Sequence, residues 1–460
     1  MDATDLVWAL QECGQANFGD KRLTQRHIKL TASIAEQPEC SIPDALQGWG
    51  DTKAAYRFFS NPKVTSNKIV AGHASATVRR MKGQDIILCA QDTTAANFTS
   101  HDDTEGLGPI GPAYTRGLFI HSCLAGRTDG TPLGLLYQKY WARSEEGAAT
   151  DKESARWIES MREVEQLIPD GIRLVMLSDR ESDFYEYFAA VAEDHVDAIV
   201  RAEHNRKLHG QHPTLAKALA AATAVPPLGE LTVDVPKKPG QKAREATLAL
   251  YVTTVELPPP RTYRGPHRDL IPLNVVCAYE ISPPPEVTNP INWILFTTLP
   301  VADARQAATV VRWYTLRWRI ERFHYVLKSG SQIQSLQLQT EERLENAIAT
   351  YSIAAWRILW LTYEARQNPD APCTSALSND EWKALVLILN KKQIPKGNPI
   401  PLSPPSLATA VVYIARLGGF LARKGDGDPG VKVLWRGWRR LQDMVVMLRA
   451  AQRSGFMGKA

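Results

Sequence analysis

Two apolar runs of strand length that each end on an acid constrain the fold of this chain more than any other feature. The first is Asp85-Ile-Ile-Leu-Cys-Ala-Gln-Asp92-Thr93-Thr94. The second, Ile172-Arg-Leu-Val-Met-Leu-Ser-Asp179, leads into Arg180-Glu181-Ser182-Asp183 and a helix-like segment at residues 184–192. Between them lie strand-like runs at 118–125 and 132–141, joined by the turn Gly126-Arg-Thr-Asp-Gly130, and a helical pattern at 153–168. A helix at 182–192 and a strand at 196–201 follow. The order is β-β-β-α-β-α-β, predicting a meander that passes into α/β crossovers. Acids at the carboxyl ends of buried strands suit a site in the crevice of an open α/β sheet. An acid there is equally a helix N-cap, and for Asp179 both roles stay open.

A third acid sits in Arg312-Trp-Tyr-Thr-Leu-Arg-Trp-Arg-Ile-Glu-Arg-Phe-His-Tyr-Val-Leu-Lys328. On one continuous helix of about 3.6 residues per turn, Tyr314, Arg317, Glu321 and Lys328 return to an arc about 60° wide. Leu316, Ile320, Phe323 and Leu327 gather on a second arc roughly 120° away. Such a helix turns one edge to a core and presents an acid flanked by cations and a phenol on the other. A carboxylate there takes a hard cation, and Arg and Lys grip phosphates beside it. A solvated face with i,i+4 ion pairs has the same appearance. Asp92, Asp179 and Glu321, with no His/Cys cluster, suit Mg²⁺ or Mn²⁺ rather than zinc. The six cysteines (13, 40, 89, 123, 277 and 373) form no C-x2-C pair and read as free thiols of a reducing compartment.

Four stretches together resemble the DDE cut-and-paste transposases of the bacterial insertion-sequence group that includes transposon Tn-five. They are Gln91-Asp92-Thr93-Thr94, Ser178-Asp179-Arg180-Glu181-Ser182-Asp183, Asn292-Trp293-Ile294-Leu295, and the Y-x2-R-x3-E-x6-K signature at Tyr314, Arg317, Glu321 and Lys328. The likeness reaches both ends, through Gly19-Asp20-Lys21-Arg22, Tyr56-Arg57-Phe58, Ile414-Ala-Arg-Leu-Gly-Gly-Phe420 and Leu434-Trp-Arg-Gly-Trp438. It implies an α/β, ribonuclease-H-like catalytic core at 71–370, split by a β-rich insertion at about 204–298. A helical DNA-binding domain at 1–70 would precede it and a helical dimerisation domain at 371–460 would follow. It implies catalytic, metal-binding roles for Asp92, Asp179 and Glu321 with two Mg²⁺ (or Mn²⁺) ions, and DNA contacts through Tyr314, Arg317, Lys328, Trp293, Arg201, Arg22, Arg26 and Arg57. The expected partners are transposon inverted-repeat ends, target DNA and a second copy of the chain in a synaptic complex. Arg57 fits a structural role nearly as well, Arg201 fits an ion pair, and Trp293 fits a buried strand.

Charge supports a local rather than a global nucleic-acid surface, because the net charge is only +5 over 460 residues. Residues 19–83 carry eleven Lys/Arg against five Asp/Glu. Within 20–37, Leu23, His27, Leu30 and Ile34 form one helical stripe, with Arg22, Arg26 and Lys29 on the next. The Pro-rich stretch 204–298 contains strand-like runs at 246–255 and 273–281 and a basic loop at 237–244, which reads as either a solvated turn or a DNA track. After a boundary near 367–374 and a Pro-rich linker at 395–405, helices are expected at 406–417 and 434–447. In the second, Leu434, Trp438, Leu441, Val445 and Leu448 form a heptad-like seam that either core packing or dimerisation explains. The N-terminus has no secretory pattern and no run is long enough to span a membrane, so a cytoplasmic, DNA-associated protein is expected. A nuclease that cuts without joining and a non-catalytic DNA-binding regulator are the rival readings.

Overall fold

The computed structural model describes residues 3–46, 48–111, 114–144, 153–235, 243–265, 268–389 and 403–454. It is a mixed α/β protein of two compact units that alternate along the chain. One comprises Gly83–Asp92 and Thr150–Ile320; the other comprises Met1–Lys82, Thr93–Ala149 and Glu321–Ala460. The strands, in chain order, are β1 (Ile86–Asn97), β2 (Gly108–Pro109), β3 (Arg116–Gly126), β4 (Pro132–Trp141), β5 (Arg173–Ser178), β6 (Asp197–Arg201), β7 (Gly229–Val235), β8 (Arg244–Leu257), β9 (Ile271–Glu280) and β10 (Asn292–Thr297).

In the unit holding residues 150–320, the first half of β1 pairs in parallel with β5, and β5 with β6. The sheet then turns antiparallel, with β6 beside β10, β10 beside β9, β9 beside β8 and β8 beside β7. Ile87, Leu88, Cys89, Val175, Met176 and Leu177 are all at most 2% exposed. Continuous apolar runs of this kind are what parallel strands covered on both faces require. The segment expected as an insertion therefore extends the sheet, since Leu295 of β10 opposes Arg201 of β6. β10 bears out the buried-strand alternative for Trp293, β7 and a helix at Leu215–Thr223 have no counterpart in the sequence reading, and Arg244 opens β8 in an ion pair with Glu280. The basic-loop residues 237–242 lie outside the described residues.

In the other unit, β2, β3 and β4 form an antiparallel ladder. The helix Ser66–Arg80 packs on β4, and the 27-residue helix Glu341–Gln367 packs against Ser66–Arg80, Lys21–Glu36 and β4. That long helix is buried around most of its circumference, and it starts where the Thr340 hydroxyl accepts from the Arg343 N–H. Helices Leu407–Leu417 and Val431–Arg453 match the two expected near the end, whereas residues 395–402 of the linker lie outside the described residues. Gly418 and Gly437 let these two helices touch: an added Cβ would meet the Val433 carbonyl at 1.8 Å or the Ile414 carbonyl at 1.7 Å.

Two expectations need correction, and one open alternative is resolved. The segment with the Y-R-E-K signature is not one helix. A helix Ala304–Leu316 stops at Arg317, whose N–H bonds the Tyr314 carbonyl; a second runs Trp318–Tyr325, and a π turn follows at Val326–Gly330. The π turn closes with the Ser331 N–H on the Val326 carbonyl at 2.9 Å, five residues back, so the regular 3.6-residue repeat ends ahead of Lys328. Asp92 does not close its strand either, because β1 continues to Asn97; only the fully buried stretch ends there. Finally, the seam Leu434, Trp438, Leu441, Val445 and Leu448 is at most 9% exposed within a single chain. The Trp438 indole N–H donates to the Ala35 carbonyl at 2.9 Å, so core packing uses the seam and leaves none of it for a partner.

Candidate active site

Sheet register brings two of the three acids to matching positions. Ala90 opposes Leu177 in the parallel pair of β1 and β5, and Asp92 and Asp179 each lie two residues beyond that pair. Neighbouring strands are about 4.8 Å apart and side chains alternate with period two, so both carboxylates leave the same face of adjacent strand ends. The strand ends are locked below them. The buried Gln91 amide donates to the Ser178 hydroxyl at 3.0 Å and to the Tyr187 hydroxyl at 2.9 Å. Asp179 takes up its capping role as well: its Oδ1 accepts from the Glu181 N–H at 2.9 Å and caps the single turn Arg180–Ser182. Its second oxygen is not used by that cap.

The last acid of this motif has a different job. Asp183 is fully buried as a side chain, accepting from the Arg206 guanidinium at 2.6 Å and the Glu203 N–H at 2.7 Å. It ties the loop after β6 to the turn after β5. A cavity of about 710 Å³ opens here, lined by Arg180, Glu181, Phe184, Glu203 and His204.

The cation and phenol of the signature gather on the same unit. Arg317 is 6% exposed, and its guanidinium stands 3.9 Å from the Asp92 carboxylate. It also lies 5.9 Å from the Tyr314 ring and 5.5 Å from the Trp318 ring. Tyr314 is 2% exposed, so this edge is packed rather than open, contrary to the expected solvent-facing arc. Burial pushes its hydroxyl above the usual phenol range, opposed by Arg317 and Arg201, with Asp179 adding a smaller rise. Those causes set Arg201, Arg317 and Asp179 within one electrostatic neighbourhood around Tyr314. Trp293, half-buried on β10, meets Tyr314 edge-to-face at 5.8 Å.

On the other unit, Glu321 is half-buried on the helix Trp318–Tyr325, four residues after Arg317. Lys328 sits in the π turn and donates to the Thr94 hydroxyl at 2.7 Å. Thr93, next to it, meets the His121 ring at 2.9 Å, and the His324 ring meets the Ser122 hydroxyl at 3.2 Å. Burial first, then the Lys328 charge, lowers the His324 pKa to about 3 and keeps that ring neutral. Sequence spacing carried no sign of the Lys328–Thr94 link, because it joins residues 234 apart.

Of the N-terminal residues, Arg22 and Arg26 lie on the helix Lys21–Glu36, capped by Asp20. Its apolar stripe is buried at His27, Leu30 and Ile34, and the basic stripe faces outward. Arg22 pairs with Asp20 at 3.2 Å and Arg26 with Asp51 at 2.8 Å. Arg57 is exposed on the helix Trp49–Phe59.

Chemically, Asp92 and Asp179 offer hard oxygen donors side by side, a set that fits a hard divalent cation such as Mg²⁺ or Mn²⁺. Among the described residues, no group of three or more His, Cys, Asp or Glu side chains is close enough to hold a metal ion by itself. No described helix is long and apolar enough to cross a membrane.

Three protein-family models match the chain. A transposase DNA-binding model matches residues 6–64, a transposase DDE domain model matches 149–357, and a transposase Tn5 dimerisation domain model matches 353–458. The DDE match includes Asp179 and Glu321, while Asp92 lies ahead of it.

Proposed function

The chain belongs to the Tn5-like DDE transposases, and on that premise we propose that Asp92, Asp179 and Glu321 are its catalytic, metal-holding carboxylates. The family depends on divalent metal, and we assign two Mg²⁺ or Mn²⁺ ions to the site. When bound, such ions supply Lewis acidity to the attacking oxygen and neutralise charge on the leaving 3′ oxygen. The observation that carries the reading is the matched offset of Asp92 and Asp179 on adjacent parallel strands, with Arg317 at 3.9 Å from Asp92.

The residues around the acids orient DNA. Arg317, fixed by its packing against Tyr314 and Trp318, presents donors to a phosphate beside the scissile bond. Lys328, anchored through Thr94, is a point charge for a second phosphate, and Arg201 for a third. Trp293 provides a platform on which an unstacked base near the transposon end rests. One site serves nicking by water and joining by a DNA 3′-OH, because both steps attack a phosphodiester. Cleavage of the second strand through a hairpin is part of the same proposal.

Three domains organise the work in this reading. Residues 1–70 read the inverted-repeat ends through Arg22, Arg26 and Arg57. Residues 71–370 form a ribonuclease-H-like core with an insertion at about 204–298. Residues 371–460 pair two copies in the synaptic complex. A DNA-binding and a dimerisation domain belong to the family assignment itself; the inverted repeats, the target DNA and the synaptic complex are proposed.

The test is cleavage of end-containing DNA by Asp92→Asn, Asp179→Asn and Glu321→Gln in Mg²⁺ or Mn²⁺, alongside gel shifts. Loss of several kcal/mol of charge stabilisation slows cutting by about 10³-fold or more at 1.36 kcal/mol per decade. End binding stays near wild type, since it rests on phosphate contacts elsewhere. Robust cutting by any one variant removes that residue from the site.

A further inference from the structure

The C-terminal helix Val431–Arg453 carries a feature that the proposed chemistry leaves unused. At about 100° per residue, Lys432, Arg436, Arg439 and Arg440 fall within an arc of roughly 100°, about 170° from the centre of the buried seam. All four line a cavity of about 710 Å³, against two carboxylates, Glu39 and Asp443. Lys432 and Arg436 are exposed. Arg439 is half-exposed and held by Glu39 at 3.2 Å, while Arg440 donates to the Leu417 carbonyl.

The cavity is built rather than incidental. Tyr325 and Trp435, which also line it, pack at 5.4 Å between centroids. Gly330 of the π turn lies so close beneath that an added Cβ would meet the Trp435 ring at 3.0 Å. Gln332, on the same wall, holds a left-handed backbone with φ of +46°, a strain that the surrounding packing must sustain. The turn that carries Lys328 thus also forms a wall of this basic cavity.

We propose that this face is a second DNA-binding surface, one that grips the phosphate backbone of duplex DNA outside the terminal sequence. The inference rests on the reading that the protein works on DNA. Four cations over nine residues, eight helical steps, span about 12 Å along the helix at ~1.5 Å per residue. One strand of a duplex advances about 3.4 Å per phosphate along its axis, so that span faces three or four phosphates. The four cations come from one regular helix and outnumber the Gln332 amide and the Ser329 hydroxyl on the facing wall, which suits backbone contact with little sequence choice. All four are exposed, and two of them, Arg439 and Arg440, are pre-ordered by Glu39 and the Leu417 carbonyl.

The experiment uses the full-length protein with Lys432→Ala/Arg436→Ala and a random-sequence duplex of about 30 base pairs, a length of about three helical turns. Both positions are exposed, so thermal unfolding should match wild type. The slope of log K against log [salt] should fall by about one unit per lost contact, or about two units, with binding at 0.1 M salt weakened about tenfold. Lys432→Arg/Arg436→Lys, which keeps both charges, should retain the slope. An unchanged slope and affinity in the alanine variant would overturn the proposal, as would loss of binding to polyglutamate alone. Arg22→Ala/Arg26→Ala, tested on end-containing DNA, reports separately on recognition of the ends. If that variant binds ends normally, the end-reading role fails whatever happens at Lys432 and Arg436.

Discussion

The strand-borne acids and the helix-borne signature were both visible as patterns of spacing, yet only the strands kept the geometry that spacing implies. Asp92 and Asp179 sit at equal offsets because each β-ladder hydrogen bond fixes register, and a side chain can only face up or down. The signature spans 14 residues, and a stop at Arg317 plus a π turn at Val326–Gly330 interrupts the regular repeat on which its spacing relies. Local hydrogen bonds therefore set positions to within a residue in a sheet, whereas a helix preserves position only while it stays regular.

Breaking the register should have the largest effect. Inserting one Ala between Leu177 and Ser178 turns Asp179 to the opposite face and separates Ser178 from Gln91. Cleavage should fall by about 10³-fold or more, as for loss of a metal-binding carboxylate. A single-turnover cleavage assay checks this; substantial cutting would mean that register does not govern the site. By contrast, Lys328→Ala removes one charge-assisted contact, about 1.5–3 kcal/mol, so cleavage should slow roughly 10–100-fold. Thr94→Val should reproduce part of that loss if the hydroxyl positions the ammonium. A Thr94 variant with wild-type rates would make the 2.7 Å contact incidental.

Smaller effects probe the π turn and the N-terminal helix. Gly330→Ala crowds the Trp435 ring and should destabilise by about 1–3 kcal/mol, read as a shift in the denaturant midpoint. No shift would show that the turn yields easily. His27 is buried between Phe18 and Phe58, stacked on Phe58 at 5.6 Å, with neither ring nitrogen hydrogen-bonded. Burial lowers its pKa to about 3, below the ordinary 6.5. A folded-state pKa that is depressed makes stability full above 6.5 and lost as pH falls toward 3. Glu12 acts lower still. Burial raises its pKa, but hydrogen bonding and charge from His73 and Arg80 outweigh that and hold it at about 2, so its stabilisation fades between 4.5 and 2. Melting temperatures should thus decline in two stages on acidification, and His27→Phe should flatten the stage between pH 6.5 and 4.5. An unaltered profile in that variant would exclude His27 as the source.

Much of the fold was legible because the strands of the first half are continuous apolar runs bounded by turns. β4 was anticipated to the residue, and β3, β5 and β6 to within one or two. A strand around Trp293, where β10 lies, was one of two open readings, and β7 was missed. β7 is a seven-residue strand that carries its apolar residues at Leu231, Val233 and Val235 and is held by pairing with β8, and β10 is held by pairing with β6 and β9, partners distant in sequence. In the site, the positions of Asp92 and Asp179 followed from strand patterning, and Arg317 from the motif. Nothing local in the sequence indicated that Tyr314 would be buried beside Trp293, that Asp183 would bind Arg206, or that Lys328 would reach Thr94. Each is a contact between elements, and single-sequence spacing reports only contacts within one. The seam of the C-terminal helix shows the same limit from the other side: its periodicity was real, but it could not say whether the apolar face meets this chain or another.

The most direct test of the central claim is Mn²⁺ binding followed by electron paramagnetic resonance. Wild-type protein should be titrated beside Asp92→Asn, Asp179→Asn and Arg317→Ala, without DNA and then with end-containing DNA. Binding should weaken sharply in each Asp variant and persist in Arg317→Ala, which removes a cation rather than a ligand. Unchanged Mn²⁺ affinity in both Asp variants would contradict the assignment of the strand-end carboxylates as the metal-holding pair.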